Sequence, residues 1–529
     1  MPARAMNRSG DTGMGDDRRQ RSSQDKTGRN RLGRNMVSLW LVELVVIVTG
    51  FVTPRLIDEQ LGQVQLGVWD LGWSIVSYFR FLGMGMTGGL NRFVAVYQAS
   101  GEREKLGRIV SSTIMLQLFW GLLMVLFAIG AAYLVPIIAH DQHAEVIEPV
   151  RWVVIFLGGT LAARTIGSSA RGLLTGYHLW TLNSAVQIAG DIGSLAAMVW
   201  VLLSGGGLRE LAGVYFVVTT CTEATRFFIA RRCYGRKLFE RSEVAYEEIK
   251  LLFVFSLKTN AGALPPIIVI QTLNIALASV AGPAALAVYA RTLALQRHAS
   301  VLISSFTKLL TPTVGSLQGL GQESVYKPFF LLSMRLSLAL SLPLYIALVV
   351  VGDLLLLIWM GEDYIAPGLV LLVCAGMLLP TVCTAALRIL AGLNAHGTAG
   401  VISLIITMAL LGAGLVVVAV YDIVWSAYVA AALLGICLTI GSAVPITILA
   451  MRRFNVSTWE LLSDVLARPL LSNTPYAIVL IAGMKMIDQT HPVEIVAVLL
   501  GAGAVWLVSC WFLLLTGDDK RRILKKLRR

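Results

Sequence analysis

The sequence predicts an all-α polytopic membrane protein with about fourteen transmembrane helices. Three observations carry this. The 529 residues are 56% hydrophobic and only 14% charged, and the mean hydropathy is +0.73. A water-soluble chain needs more polar residues to cover its surface. After Asn35 the chain runs through apolar stretches, each long enough to cross a bilayer as a helix of about 20 residues. The polar segments between them alternate in charge. Lipid offers a backbone N–H or C=O no partner, so each stretch is expected to be helical.

The spans fall near 36–54, 67–95, 110–138, 151–172, 182–203, 210–230, 251–274, 284–311, 328–351, 366–391, 400–420, 424–450, 473–489 and 494–516. Residues 1–35 are rich in Arg, Ser, Gly and Asp. They lack the apolar core of a secretory signal and are expected to be a disordered cytoplasmic tail. Segment 451–516 reads as a cytoplasmic connector followed by a terminal transmembrane pair, and 517–529 as a basic cytoplasmic tail.

Orientation comes from the loops. One set carries Arg103, Lys105 and Arg108; Arg231, Arg232, Arg236, Lys237 and Arg241; Lys327; and Arg452, Arg453 and Arg468. The alternate set carries Asp58 and Glu59; Asp141, Glu145 and Glu148; Asp353, Glu362 and Asp363; Asp422; and Asp488 and Glu494. The positive set is expected inside, which puts both termini in the cytoplasm. The net charge of +13 therefore marks membrane topology and headgroup contact, with no nucleic-acid partner expected.

The same pass excludes several functions. No Walker A motif is present, and no loop is long enough for an external catalytic domain. Cys221, Cys233, Cys374, Cys383, Cys437 and Cys510 show no metal-ligand spacing and mostly sit in apolar runs. No enzyme activity, cofactor or metal is expected.

The chain also repeats itself. Shifting Leu66–Leu106 by 220 positions lays it on Leu286–Tyr326 without a gap. Leu66 falls on Leu286, Val68 on Val288, Leu82 on Leu302, Thr87 on Thr307, Val94 on Val314, Gln98 on Gln318 and Gly101 on Gly321. Repeats of this kind occur in transporters, with the substrate site where the repeats meet.

Charged groups inside spans cost at least about 2.5–3.5 kcal/mol at the helix centre, so each needs a reason. Asp70, Trp73, Ser77 and Arg80 share a face of the second span. Arg164, Ser168, Arg171 and Thr175 form a stripe on the fourth, and Asn183, Gln187, Asp191 and Ser194 form one on the fifth. On the eighth, Arg291 and His298 are nearly eclipsed, while Arg297 is turned about 100° away. Glu43, the Glu223/Arg226 pair, Lys258 and Arg335 lie in other spans. Near span ends, as for Arg171, Arg226, Arg335 and Arg388, snorkelling or local pairing accounts for the charge. For Arg80, Arg164, Arg291 and His298 the expectation is a water-filled cationic cavity, with Arg171 and Lys258 as further members. Such a cavity suits an anion, because guanidinium matches phosphate oxygens with paired donors. Glu43 and Asp191 are candidates for ion coupling, or simply neutralise nearby arginines. Pro265–Pro266, Pro312 and the glycines Gly83, Gly85, Gly88 and Gly89 permit bends or close helix contact.

Segment Asn35–Leu106 carries Pro54-Arg55-Leu56, Leu61-Gly62, Gly67-Val68-Trp69, Asn91-Arg92-Phe93 and Gly101-Glu102. With these it resembles the N-terminal part of Wzx-type oligosaccharide flippases, of the multidrug/oligosaccharidyl-lipid/polysaccharide (MOP) exporter superfamily. Ala287-Val288-Tyr289 and Arg388-Ile389-Leu390-Ala391-Gly392-Leu393-Asn394 resemble its second half. The resemblance implies two pseudo-symmetric six-helix bundles, 36–250 and 251–450, plus a C-terminal helix pair. It also implies movement of a polyprenyl-pyrophosphate-linked glycan across the cytoplasmic (inner) membrane, beside polysaccharide polymerase and glycosyltransferases. A multidrug/cation antiporter or a lipid II flippase is the alternative. Family members often carry an aspartate late in the seventh span; this chain has Gln271-Thr272-Leu273-Asn274 there.

Overall fold

The computed structural model describes residues 32–80, 86–138, 144–235, 238–260, 264–319, 322–488 and 491–514. Most of the expected N-terminal tail, Gly83, Gly85, Asp141, Arg236, Lys237, Gly321 and the basic tail 517–529 lie outside them, as do the side chains of Glu145 and Lys258. The described residues are helical, with short turns and no strand. In order, the helices are α1 (Leu32–Leu61), α2 (Gln63–Ser77), α3 (Met86–Ser100), α4 (Arg103–Ile138), α5 (Ala144–Gly176), α6 (Trp180–Leu203), α7 (Leu208–Tyr234), α8 (Tyr246–Asn260) and α9 (Leu264–Ala281). There follow α10 (Pro283–Lys308), α11 (Leu310–Gly319), α12 (Tyr326–Met360), α13 (Leu369–Gly392) and α14 (His396–Val420). The last are α15 (Ala427–Phe454), α16 (Thr458–Met486) and α17 (Pro492–Ser509), the first two containing π-helical turns.

Eleven helices among the described residues are long and apolar enough to cross a membrane. They match the expected spans except 67–95, 210–230 and 284–311. In 67–95 the described helices α2 and α3 have 15 residues each, too short to cross alone; in the other two, Glu223 and Arg226, and Arg291, Arg297 and His298, lower the apolar average. α7 and α10 nevertheless have 27 and 26 residues, about 40 Å at 1.5 Å per residue.

Two boundaries differ from expectation. The seventh span was expected at 251–274; the apolar crossing is α9, Leu264–Ala281. Pro265 and Pro266 stand in its first turn, where a missing N–H leaves no helical hydrogen bond unmade. The thirteenth span was expected at 473–489; its helix, α16, already begins at Thr458. A reciprocal cap starts it there: Ser457 Oγ accepts from the Glu460 N–H at 3.2 Å, and Glu460 Oε2 accepts from the Ser457 N–H at 2.8 Å.

The internal repeat is written in the backbone. Gly62 and Gly282, 220 positions apart, both precede a helix with nearly the same torsions, φ 87°, ψ 167° and φ 91°, ψ 163°. An L side chain is disfavoured at such angles. Other left-handed positions pair at similar offsets: Gly235 with Asn455 at 220, Gly205 with Asp422 at 217 and His178 with Asn394 at 216. Each pair ends the corresponding helix of its half. The α2 and α10 copies meet backbone to backbone. A Cβ on Gly67 would lie 1.9 Å from the Pro283 carbonyl oxygen, so any side chain there pushes the two helices apart.

The chain divides into two compact units. The first holds 82–128 and 155–256 together with the chain before 54; the second holds 54–81, 129–154 and 257–529. In the first, Leu90, Val94, Ile109, Leu173, Leu174 and Ala230 form a buried core. In the second, Leu310, Val314, Phe330, Val382, Ile389 and Ile446 form its counterpart. Leu90 and Val94 correspond to Leu310 and Val314 under the 220-residue shift. The terminal pair packs on α12 through Val351, Tyr476, Leu480, Met484 and Ile495, and the Tyr476 hydroxyl donates to the Pro343 carbonyl at 3.0 Å.

Candidate functional site

The second unit contains a cavity of about 500 Å³. α2 contributes Asp70, Trp73, Ser74 and Ser77, with Arg80 just beyond its end. α9 contributes Pro266, Ile270, Gln271 and Asn274. α10 supplies Ala290, Arg291, Leu293, Gln296, Arg297, Ser300 and Ser304; α13 supplies Met377, Pro380, Thr381 and Thr384; Leu438 comes from α15. The spacing explains α2: positions 70, 73, 77 and 80 fall on one helical face. The lining carries three arginines against one aspartate, an excess of positive charge.

Arg291 is the best-fixed of these. Its Nη2 donates to both oxygens of Asp70, each at 2.6 Å. The arginine side chain is 6% exposed and the aspartate 14%, and the guanidinium carbon lies 5.9 Å from the Trp359 ring centre. Nε and Nη1 of Arg291 are buried and make no hydrogen bond to the protein. Ser74 Oγ donates to the Asp70 carbonyl at 2.8 Å and accepts from Asn274 Nδ2 at 3.0 Å, which ties α9 to α2. A second network braces α10: Gln296 Nε2 donates to Ser300 Oγ and to the Tyr345 hydroxyl, each at 2.6 Å, and Tyr345 lies 2.7 Å from Thr381 Oγ1. At the Gly361–Gly368 turn of the same unit, the buried Tyr364 hydroxyl donates to Asp58 Oδ1 at 2.5 Å. Burial, and then the Asp58 carboxylate, push loss of the phenol proton well above its usual range, so the hydroxyl stays a donor.

The first unit holds a different cluster. Glu223 pairs with Arg226 one turn along α7, and its Oε1 lies 3.3 Å from Arg171 Nη2 on α5. Arg226 is fully buried. Arg226 Nη2 also donates to Gln187 Oε1 at 2.9 Å, and Gln187 Nε2 donates to Asp191 Oδ1 at 2.9 Å. Arg164 Nη2 donates to the Tyr215 hydroxyl at 2.7 Å. Gly167 makes room for Glu223, since a Cβ there would sit 2.0 Å from Glu223 Oε2.

Arg80 and Arg291 thus line one cavity. Arg164, Arg171 and Asp191 belong to the other unit. His298 is half-buried on α10 and is not among the residues lining the cavity. Glu43 is exposed on α1. Lys258 falls in the last turn of α8, with its side chain outside the described atoms. Sequence reasoning missed Arg297, which lines the cavity despite its 100° offset, and the partnership of Asp70 with Arg291. The repeat held a signal for the latter: the 220-residue shift places Asp70 on Ala290, the residue beside Arg291.

Fold and cavity define the class: a multi-pass membrane protein with the fold of MOP-superfamily transporters. Lipid II flippase MurJ in an inward closed conformation superposes with a TM-score of 0.66 at 9% identity, covering 94% of this chain and 99% of MurJ. An inward-facing multidrug resistance MATE transporter gives 0.61 at 13% identity, covering 78% and 94%. A Pyrococcus furiosus MOP transporter, noted for the reversed polarity of its binding pocket, gives 0.58 at 12% identity, covering 80% and 93%. Residues 110–366 match the family model described as "Polysaccharide biosynthesis protein". Both findings support the resemblance to Wzx-type flippases read from the sequence. No curated protein sequence matches the chain.

Proposed function

We propose that this protein flips a polyprenyl-pyrophosphate-linked oligosaccharide across the cytoplasmic membrane by alternating access, for surface polysaccharide synthesis, and catalyses no bond change. The single observation that carries the reading is the arginine excess of the second-unit cavity, where Arg80, Arg291 and Arg297 face one volume with Asp70. A pyrophosphate entering a membrane protein gives up water and must regain paired donors, and guanidinium forks supply them. A multidrug cation calls for the opposite sign. The six-helix bundles 36–250 and 251–450 would rock about the bound headgroup, and polymerase and glycosyltransferases would stand on either side of the step.

Purified protein in proteoliposomes tests this. Flipping is expected for a fluorescent undecaprenyl-pyrophosphate glycan and not for a cationic dye. Dye transport without glycolipid flipping sinks the proposal in favour of the antiporter. Lipid II is the third substrate to supply, since it presents the same pyrophosphate.

The direction of transport rests on topology. The loop charges support an orientation with both termini and Arg231–Arg241 inside and the loop near Asp141–Glu148 outside. A periplasm-active reporter fused after His143 should be active, and one fused after Arg236 silent; the reverse pattern inverts the orientation.

A further inference from the structure

The cationic cavity contains its own anion. Asp70 is the one carboxylate among the residues lining it, and it binds one of its three arginines. It uses both oxygens on a single nitrogen, Arg291 Nη2, at 2.6 Å each. That geometry leaves the rest of the fork unused: Nε and Nη1 are buried without a protein acceptor. A side-by-side carboxylate–guanidinium pair would engage two nitrogens. Asp70 does not satisfy Arg291 as fully as a phosphate could. Its side chain is also the less buried of the two, at 14% against 6%. Its backbone is fixed, because Ser74 Oγ donates to the Asp70 carbonyl and accepts from Asn274. The carboxylate can swing while its helix stays in place.

We propose that Asp70 is an exchangeable counter-ion: it holds Arg291 in the empty cavity, yields it to the pyrophosphate oxyanion on binding, and takes it back on release. This rests on the pyrophosphate reading above. Asp70 is here a positioning residue that acts through Arg291. Its presence lowers affinity, because the binding-competent state with Arg291 detached is only a fraction of the population. It also speeds release by competing for Arg291 from within. A carboxylate that never left Arg291 would keep Nη2 from the pyrophosphate throughout.

The test is Asp70→Asn, read first by titrating inorganic pyrophosphate into purified wild type and variant. The dissociation constant of the variant should fall about tenfold, as for removal of a roughly 10% population restriction. In proteoliposome flipping, KM and kcat should fall together, because release becomes slow. Asp70→Asn adds one net positive charge to the cavity, so the same step is repeated in an Arg297→Gln background, where Asp70→Asn restores the original net charge. Tighter pyrophosphate binding by Asp70→Asn/Arg297→Gln than by Arg297→Gln alone supports the proposal. Equal or weaker binding there overturns it and leaves Asp70 as a structural partner. If wild type itself binds no pyrophosphate, the functional reading fails together with this inference; if wild type binds and Asp70→Asn does not tighten, only the counter-ion fails.

Discussion

Arg80→Ala is expected to lower glycolipid flipping about 10–100-fold at equal membrane abundance, and Arg297→Ala similarly. Each removes a charge-assisted contact worth about 1.5–3 kcal/mol, and each 1.36 kcal/mol is about tenfold in rate. Arg80 stands just past the last turn of α2 and Arg297 on α10, so the two reach the cavity from different helices. Arg291→Ala should abolish flipping, but it also strips Asp70 of its partner. Arg291→Lys is the cleaner probe: it keeps the charge that Asp70 needs and removes the fork, so partial activity is expected. Arg452→Ala at the end of α15 is the control and should be nearly silent. The measurement is complementation of surface-polysaccharide export, with abundance checked by blot. Normal export from Arg80→Ala/Arg297→Ala would falsify the anionic-headgroup cavity.

The largest effect on folding should come from Glu223. It is the carboxylate shared by Arg226, which is fully buried, and Arg171, whose side chain is 35% exposed. Removing one partner of a buried pair leaves an uncompensated charge, at a cost of about 3–5 kcal/mol. Glu223→Gln should therefore lose most of its folded yield, with a lower midpoint for thermal aggregation in detergent. Glu223→Gln/Arg226→Gln removes both charges and should recover much of the loss. Gly167→Ala should resemble Glu223→Gln, because the added methyl displaces the same carboxylate. A stable, well-expressed Glu223→Gln protein would show that the hydrogen bond to Gln187, itself bonded to Asp191, is enough to hold Arg226.

Much of the fold was legible because lipid enforces a simple code. Apolar length marked eleven helices fit to cross; of the other three expected spans, two are diluted by charge and one is divided between the short helices α2 and α3. The 220-residue register proved to coincide with the Gly62 and Gly282 turns, because glycine marks a backbone torsion that other residues resist. The start of α16 was less legible. Its cap at Ser457 and Glu460 lies in a stretch that read as a cytoplasmic connector, ahead of the span expected at 473.

The candidate site was legible by residue type and not by pairing. Helical stripes correctly grouped Asp70 with Arg80. They set Arg297 aside, because a helix bordering a wide cavity offers more than one stripe to it. They also could not join Asp70 to Arg291, since periodicity describes each helix alone. Arg164 and Arg171 have local partners instead, Tyr215 and Glu223, which only the packing of α5 against α7 reveals.

The separation of Asp70 from its partner also bears on how the chain is made. Arg291 follows Asp70 by 221 residues. At about 5–20 residues per second, the ribosome delivers it roughly 10–45 s later. Through that interval the α2 segment is already at the membrane, bearing a carboxylate with no arginine to receive it. Lodging it in lipid would cost about 2.5–3.5 kcal/mol. Early insertion of α2 is thus expected to carry that cost until α10 arrives and supplies Arg291.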